Sequence, residues 1–180
     1  MGKGGSVELK VESGRCAMDE LGHGVTMTMA TDNDAVLLHA NIRADDLREA
    51  KVYGNVGVCG FIMESIMDSE RRYAIWHNGN LVGILWTHPI ANNVFTNTWA
   101  FLTTRYVERI RKTFVRMTPE IIKYIWAREP KHVNQAVLVI DSRYERSINW
   151  ALRVIGARRS GVQFINGVEH VLATIDRKEF

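Results

Sequence analysis

Long apolar runs, cysteine and proline are all scarce in this sequence. The stretch 81–104, which holds no Asp, Glu, Lys or Arg, is interrupted by His88, Pro89, Asn92, Asn93 and Asn97. It cannot form an apolar span of about 20 residues, so no membrane span is expected. The two cysteines, Cys16 and Cys59, stand far apart in the chain and are expected as free thiols rather than a disulfide framework. Six histidines are scattered without the His/Cys spacing of a metal site, and no metal is expected. No glycine stands between Gly83 and Gly156. The opening residues run into charged residues 8–12 rather than into the apolar core of a signal peptide, from which synthesis and residence in a cytoplasm are expected.

What is present describes a folded domain. The 180 residues are 46% hydrophobic and 24% charged, enough for one substantial core and too few for two ordinary domains. A net charge of +3 permits weak nucleic-acid contact without requiring it.

Residues 1–34 are glycine-dense and hold two short alternating patches, at 7–11 and 25–29. Each has the period of a strand, and neither is long enough to own a core. The segment therefore reads as an extended N-terminal arm that adds to a neighbouring subunit through Val7, Leu9, Val11, Val25, Met27 and Met29. The competing possibility is that it caps an edge of its own sheet. From residue 35 to 180 the pattern is regular. A strand is predicted at 36–40, a helix at 44–51 with Asp45 and Asp46 in its first turn, and a helix from 58 to about 69. Asn78-Gly79 marks a hairpin between strands at 73–76 and 81–86. A strand at 96–102 precedes a helical stretch to 116, and Thr118-Pro119 restarts a helix that ends near 128. Residues 135–140 read as a buried central strand. Ser142 and Glu145 form a capping box for a last helix that stops at Gly156, and two closing strands flank Asn166-Gly167.

This order of strand, two helices, three-strand meander, long helix, strand, helix and hairpin resembles the GNAT acyltransferases. The resemblance implies an α/β domain with a mixed sheet flanked by helices. Several short stretches are similar to a narrower group, the GNAT-like internal virion protein A family of short-tailed bacteriophages. They are Asn41-Ile42-Arg43 with Asp45 to Glu49, the run from Met63 to Ser69, the run from Trp99 to Thr104, Asp141-Ser142-Arg143, and the segment from Ile148 to Gly156. That likeness implies a bacteriophage virion or assembly protein, made in the host cytoplasm, whose partners are other virion proteins met through the arm.

In GNAT enzymes a glycine-bearing loop before the long helix holds the coenzyme A pyrophosphate, because glycine lets backbone N–H groups approach it. Here the corresponding residues, 102–111, contain no glycine. Thr103 and Thr104 hydroxyls with Arg105 as a clamp form the alternative cradle. The family's tyrosine acid, four residues before the terminal glycine, corresponds to Leu152, which cannot donate a proton. Tyr144 and Tyr106 lie elsewhere, and Glu64, Glu108 and His88 each have an ordinary structural reading, so no catalytic residue is assigned. Arg105, Arg109, Lys112 and Arg116 follow helical spacing and are read as a solvated face that doubles as an interaction patch. The sequence therefore leads to a scaffold for protein contacts without a cofactor. The alternative is an N-acetyltransferase using acetyl-CoA.

Overall fold

A computed structural model describes residues 19–53 and 57–180. Its eight-stranded mixed sheet has the order β1-β2-β3-β4-β5-β6-β8-β7. In chain order the elements are β1 (Asp19–Gly22), β2 (Val25–Met29), α1 (Asp32–Asn41), α2 (Ala44–Tyr53), α3 (Val58–Met67), β3 (Arg71–His77), β4 (Asn80–Ile90) and β5 (Asn93–Thr103). There follow α4 (Arg111–Arg128), β6 (Gln135–Asp141), α5 (Glu145–Trp150), β7 (Arg158–Ile165) and β8 (Val168–Asp176). The sheet separates two cores. One packs α4 and α5 against Trp99, Leu138 and Ile140, and the other packs α1 and α3 against Ile84, Trp86 and Leu102.

Both hairpins form where Asn-Gly predicts them. Asn78 and Gly79 have φ of 47° and 76°, and Asn166 and Gly167 have 48° and 80°, the two left-handed residues a tight type I′ turn demands. The connection between β4 and β5 completes the meander.

Four expectations are corrected. Residues 36–40 are helical, not extended. Thr31 and Asp34 close a capping box that starts α1, and the helix buries Ala35 and Leu38, three apart, while Val36 and Leu37 face outward. A short apolar run cannot by itself distinguish the two periods.

The second correction concerns the arm. Val25, Met27 and Met29 belong to β2, which pairs along its whole length with β3 of the same chain. Val25 and Met27 are core residues, and Met29 lies at the exposed end of the strand. Their partner is an intramolecular edge, because β3 would otherwise leave a row of unpaired backbone groups. Val7, Leu9 and Val11 lie outside the described residues.

Third, α4 is one helix that runs through Pro119. The proline removes the bond to the carbonyl of Val115, on the exposed side of the helix. Thr118 does not cap a helix. Its hydroxyl donates to Phe114 O at 2.9 Å.

Finally, no capping box forms at Ser142. Tyr144 is the N-cap of α5 and makes no side-chain cap bond. A five-residue π-type turn, Ala151–Ile155, extends α5 to Gly156, whose φ is 84°.

Candidate functional site: the parted strands β5 and β6

Strands β5 and β6 pair in parallel from Thr96 with Gln135 to Trp99 with Leu138, and their registered pairing stops there. Beyond that point β5 is held by the start of α2. The Thr103 amide donates to Asp46 Oδ2 at 2.6 Å, the Thr103 hydroxyl donates to the same oxygen, and the Arg43 amide donates to Thr103 O at 2.9 Å. Strand β6 continues instead alongside β8. The divergence opens a cavity of about 840 Å³ that reaches both faces of the sheet.

Backbone geometry turns polar groups into this gap. Along β5 the Phe95 carbonyl and the Thr103 amide point toward the β6 side, so strand alternation turns the amide and carbonyl of Phe101 the same way, opposite no registered residue of β6.

On the α4 and α5 face the cavity is walled by three stacked rings. Phe101, Phe114 and Trp150 lie 5.7–5.8 Å apart, centroid to centroid, and the Trp150 indole donates to Thr118 Oγ1 at 3.2 Å. The N-terminus of α4 borders this compartment. Ile110 supplies no side-chain cap there, which leaves first-turn amides and the positive end of an 18-residue helix open to an anion. Arg111 lines the cavity beside it.

The Thr103, Thr104 and Arg105 cradle does not form. Both threonine hydroxyls are committed, Thr103 to Asp46 and Thr104 to Leu81 O at 2.6 Å, and Arg105 Nε donates to Ile42 O at 3.4 Å. Nor do the four basic residues line one helix face. Arg105 sits in a separate 3-10 turn, Arg105–Glu108, and Arg109 follows it, so only Lys112 and Arg116 ride on α4. Thr104, Arg109 and Ile110, which flank the turn, have φ of −82°, −72° and −106°, values that require no left-handed residue.

The opposite face carries the titratable chemistry. Arg43, just before α2, and Asp46 and Glu49 within it stand on one side at intervals of three and line the cavity. Asp46 is 4% exposed and its charge is met by Arg43. Glu49 is half-buried and accepts the Asp141 amide at 3.2 Å. Burial pushes its carboxyl up to about 7, and the neighbouring Asp46 and Asp141 act in the same direction against the hydrogen bond. Burial also opposes ionisation of Asp141, but hydrogen bonds from the Arg143 side chain and amide outweigh it and hold this carboxyl below its ordinary range. Burial raises the Tyr53 phenol well above its usual value. Its ring stacks on Phe61 at 5.6 Å and meets buried His170 edge-on at 5.6 Å.

Of the residues weighed from sequence, His88 lines the cavity and bonds to Ser69 Oγ at 3.0 Å. Glu108 lines its α4 side. Glu64 is exposed on α3, and Tyr106 bonds to His77 at the β3–β4 hairpin. Tyr144 lies in a separate hollow with Arg48. Leu152 packs against the core. Sequence reasoning missed Glu49 as a site residue. Its only signal was the Arg43-x-x-Asp46-x-x-Glu49 spacing, which places three complementary charges on one helical face.

No protein-family model matches the chain, and no curated protein matches it. Solved structures do. A GNAT-family acetyltransferase from Bacillus anthracis superposes with a TM-score of 0.66 at 11% identity, covering 90% of this chain and 99% of that one. Spermidine N-acetyltransferase from Vibrio cholerae, solved with CoA and spermine, gives 0.65 at 14% identity, covering 87% and 98%. An aminoglycoside acetyltransferase in complex with coenzyme A gives 0.60 at 13%, covering 86% and 95%. The fold is that of the GNAT acetyltransferases. The reading as a bacteriophage scaffold without a cofactor is overturned by these neighbours, which are acetyltransferases, two of them solved with CoA. None of these three is a virion protein.

Proposed function

We propose that the chain is an N-acyltransferase that takes its acyl group from a coenzyme A thioester. The observation that carries this reading is the cavity at the parting of β5 and β6, which joins a compartment bordered by a helix N-terminus to one holding a carboxyl of pKa about 7.

The residues present fit such a donor at two points. Phe101 offers an amide and a carbonyl to an extended amide-bearing chain lying along β5, as an added strand would. The uncapped start of α4, with Arg111, suits a pyrophosphate. When bound, a coenzyme A thioester supplies an acyl carbonyl joined to a good leaving group. The rings of Phe101, Phe114 and Trp150 exclude water from that wall of the cleft. On the other face Glu49 takes the proton of an acceptor amine, freeing the nitrogen lone pair to attack, and its pKa near working pH suits a general base. Hydrogen bonds from Arg43 and Thr103 fix Asp46, so that Asp46 orients α2 beside the base.

Calorimetric titration with acetyl-CoA and an assay of thiol release with amines test this reading. Saturable acetyl-CoA binding is expected, with Glu49→Gln retaining that binding and losing about 10²–10⁴-fold in turnover. Absence of saturable binding at millimolar acetyl-CoA would overturn the proposal.

A further inference from the structure

The acceptor compartment differs in chemistry from what a polycation would need. It is bounded by α2, α3 and the face of the sheet that carries Trp86 and Ala100. Tyr53 and Phe61 form one wall as parallel rings, 5.6 Å apart and inclined by 11°. Trp86 and Ala100, paired across β4 and β5, form the floor. Val139 and Ile165 close the side toward β6 and β7. Among the described residues lining this face, the carboxyl groups are Asp46 and Glu49. Asp46 is already neutralised by Arg43 and saturated by Thr103. One carboxylate therefore remains for an incoming cation, beside an aromatic and aliphatic enclosure.

A second or third ammonium would have to be buried against Trp86, Val139 or Ile165 without a counter-charge, which costs several kcal/mol per ion. A single primary amine on an apolar body meets no such penalty. Its ammonium faces Glu49 and the rings of Tyr53 and Phe61, and its body replaces water along apolar walls. We infer that the acceptor is a primary monoamine carried on an aromatic or aliphatic group, selected by Tyr53, Phe61 and Trp86, and not a polyamine or an aminoglycoside. This rests on the acyl-transfer reading for its chemistry, but the amine site can be tested without a donor.

The test is calorimetric titration of 2-phenylethylamine, spermidine and kanamycin, separately, into the full chain at pH 8 without acyl-CoA. Phenylethylamine is expected to bind at least tenfold more tightly than either polycation. Phe61→Ala should weaken it at least fivefold, and Phe61→Leu, which keeps the apolar contact of α3 and loses the ring, should weaken it by a smaller factor. Acetyl-CoA affinity should be unchanged in both variants. Spermidine or kanamycin binding as tightly as phenylethylamine, no binding of any of the three amines, or phenylethylamine affinity unaltered in both Phe61 variants, would overturn the inference. Tight phenylethylamine binding without any acetyl-CoA binding would instead sink the acyl-transfer reading and leave the amine site standing.

Discussion

The backbone amide of Asp141 donates to the carboxylate of Glu49 across 3.2 Å, joining α2 to the end of β6 at the open mouth of the cleft. This bond steadies the charged form of Glu49, yet burial dominates and the carboxyl titrates at about 7. The folded state therefore holds a proton that the unfolded state has released, and stability falls as pH rises from about 4.5 to about 7. Activity should rise over the upper part of the same window as the base ionises. Glu49→Gln is expected to flatten the stability profile there and to remove the ionisation from the pH dependence of kcat/KM. Denaturant unfolding at half-unit pH steps, beside the rate profile, checks both.

Gly83 faces β5 where it carries the cleft. A Cβ at this position would stand 2.4 Å from Leu102 O and 3.1 Å from Thr103 Cα, backbone atoms that cannot swing aside. Gly83→Ala should cost about 1–3 kcal/mol through forced backbone movement. Because that movement displaces Phe101 and Thr103, acetyl-CoA affinity should fall as well. An unchanged unfolding midpoint would show that β5 is not constrained as described.

Arg43 answers the buried charge of Asp46. Arg43→Ala leaves that carboxylate with only its Thr103 donors, and the expected loss is about 3 kcal/mol, as for a broken buried pair. Arg43→Ala/Asp46→Asn should recover part of it, which urea unfolding of the two variants would measure.

Glu129, at the far end of α4, has a buried side chain with one oxygen lacking a hydrogen-bond partner. Burial raises its pKa, against the hydrogen bond from Asn97 and the charges of Arg71 and Arg177. Ionisation is thus disfavoured in the folded state, and this contribution to stability is lost as pH rises through the raised value. Glu129→Gln keeps an acceptor for Asn97 and carries no charge, so it should be at least as stable as the parent at pH 8. Glu129→Ala, which strands Asn97, should lose about 1–3 kcal/mol. Paired unfolding curves at pH 5 and pH 8 decide this.

Deleting residues 1–34 should unfold the domain rather than free it from an arm. The deletion removes β2, with its buried Val25 and Met27, and the Thr31–Asp34 cap of α1. Burial of those two side chains alone is worth about 1.5–3 kcal/mol each. A truncated chain that keeps a cooperative melt near the parent temperature would contradict the placement of β2.

Much of the fold was legible because its signals are local. Asn78-Gly79 and Asn166-Gly167 specify their hairpins through backbone conformations that few other residues adopt. The apolar run at 135–140 marks β6, and the order of elements points to the acyltransferase topology. Tertiary structure decided the rest. Residues 36–38 are apolar in either period, and burial of Ala35 and Leu38 against the sheet, behind the Thr31–Asp34 cap, selects the helix. The strand pattern at Val25–Met29 was visible, but its partner is β3, whose unfilled edge lies far along the chain at Tyr73–His77. The spacing of Arg43, Asp46 and Glu49 was in the sequence too. What raises the Glu49 pKa is its enclosure between α2 and the end of β6, and a carboxyl acquires that shift only when remote segments remove its water.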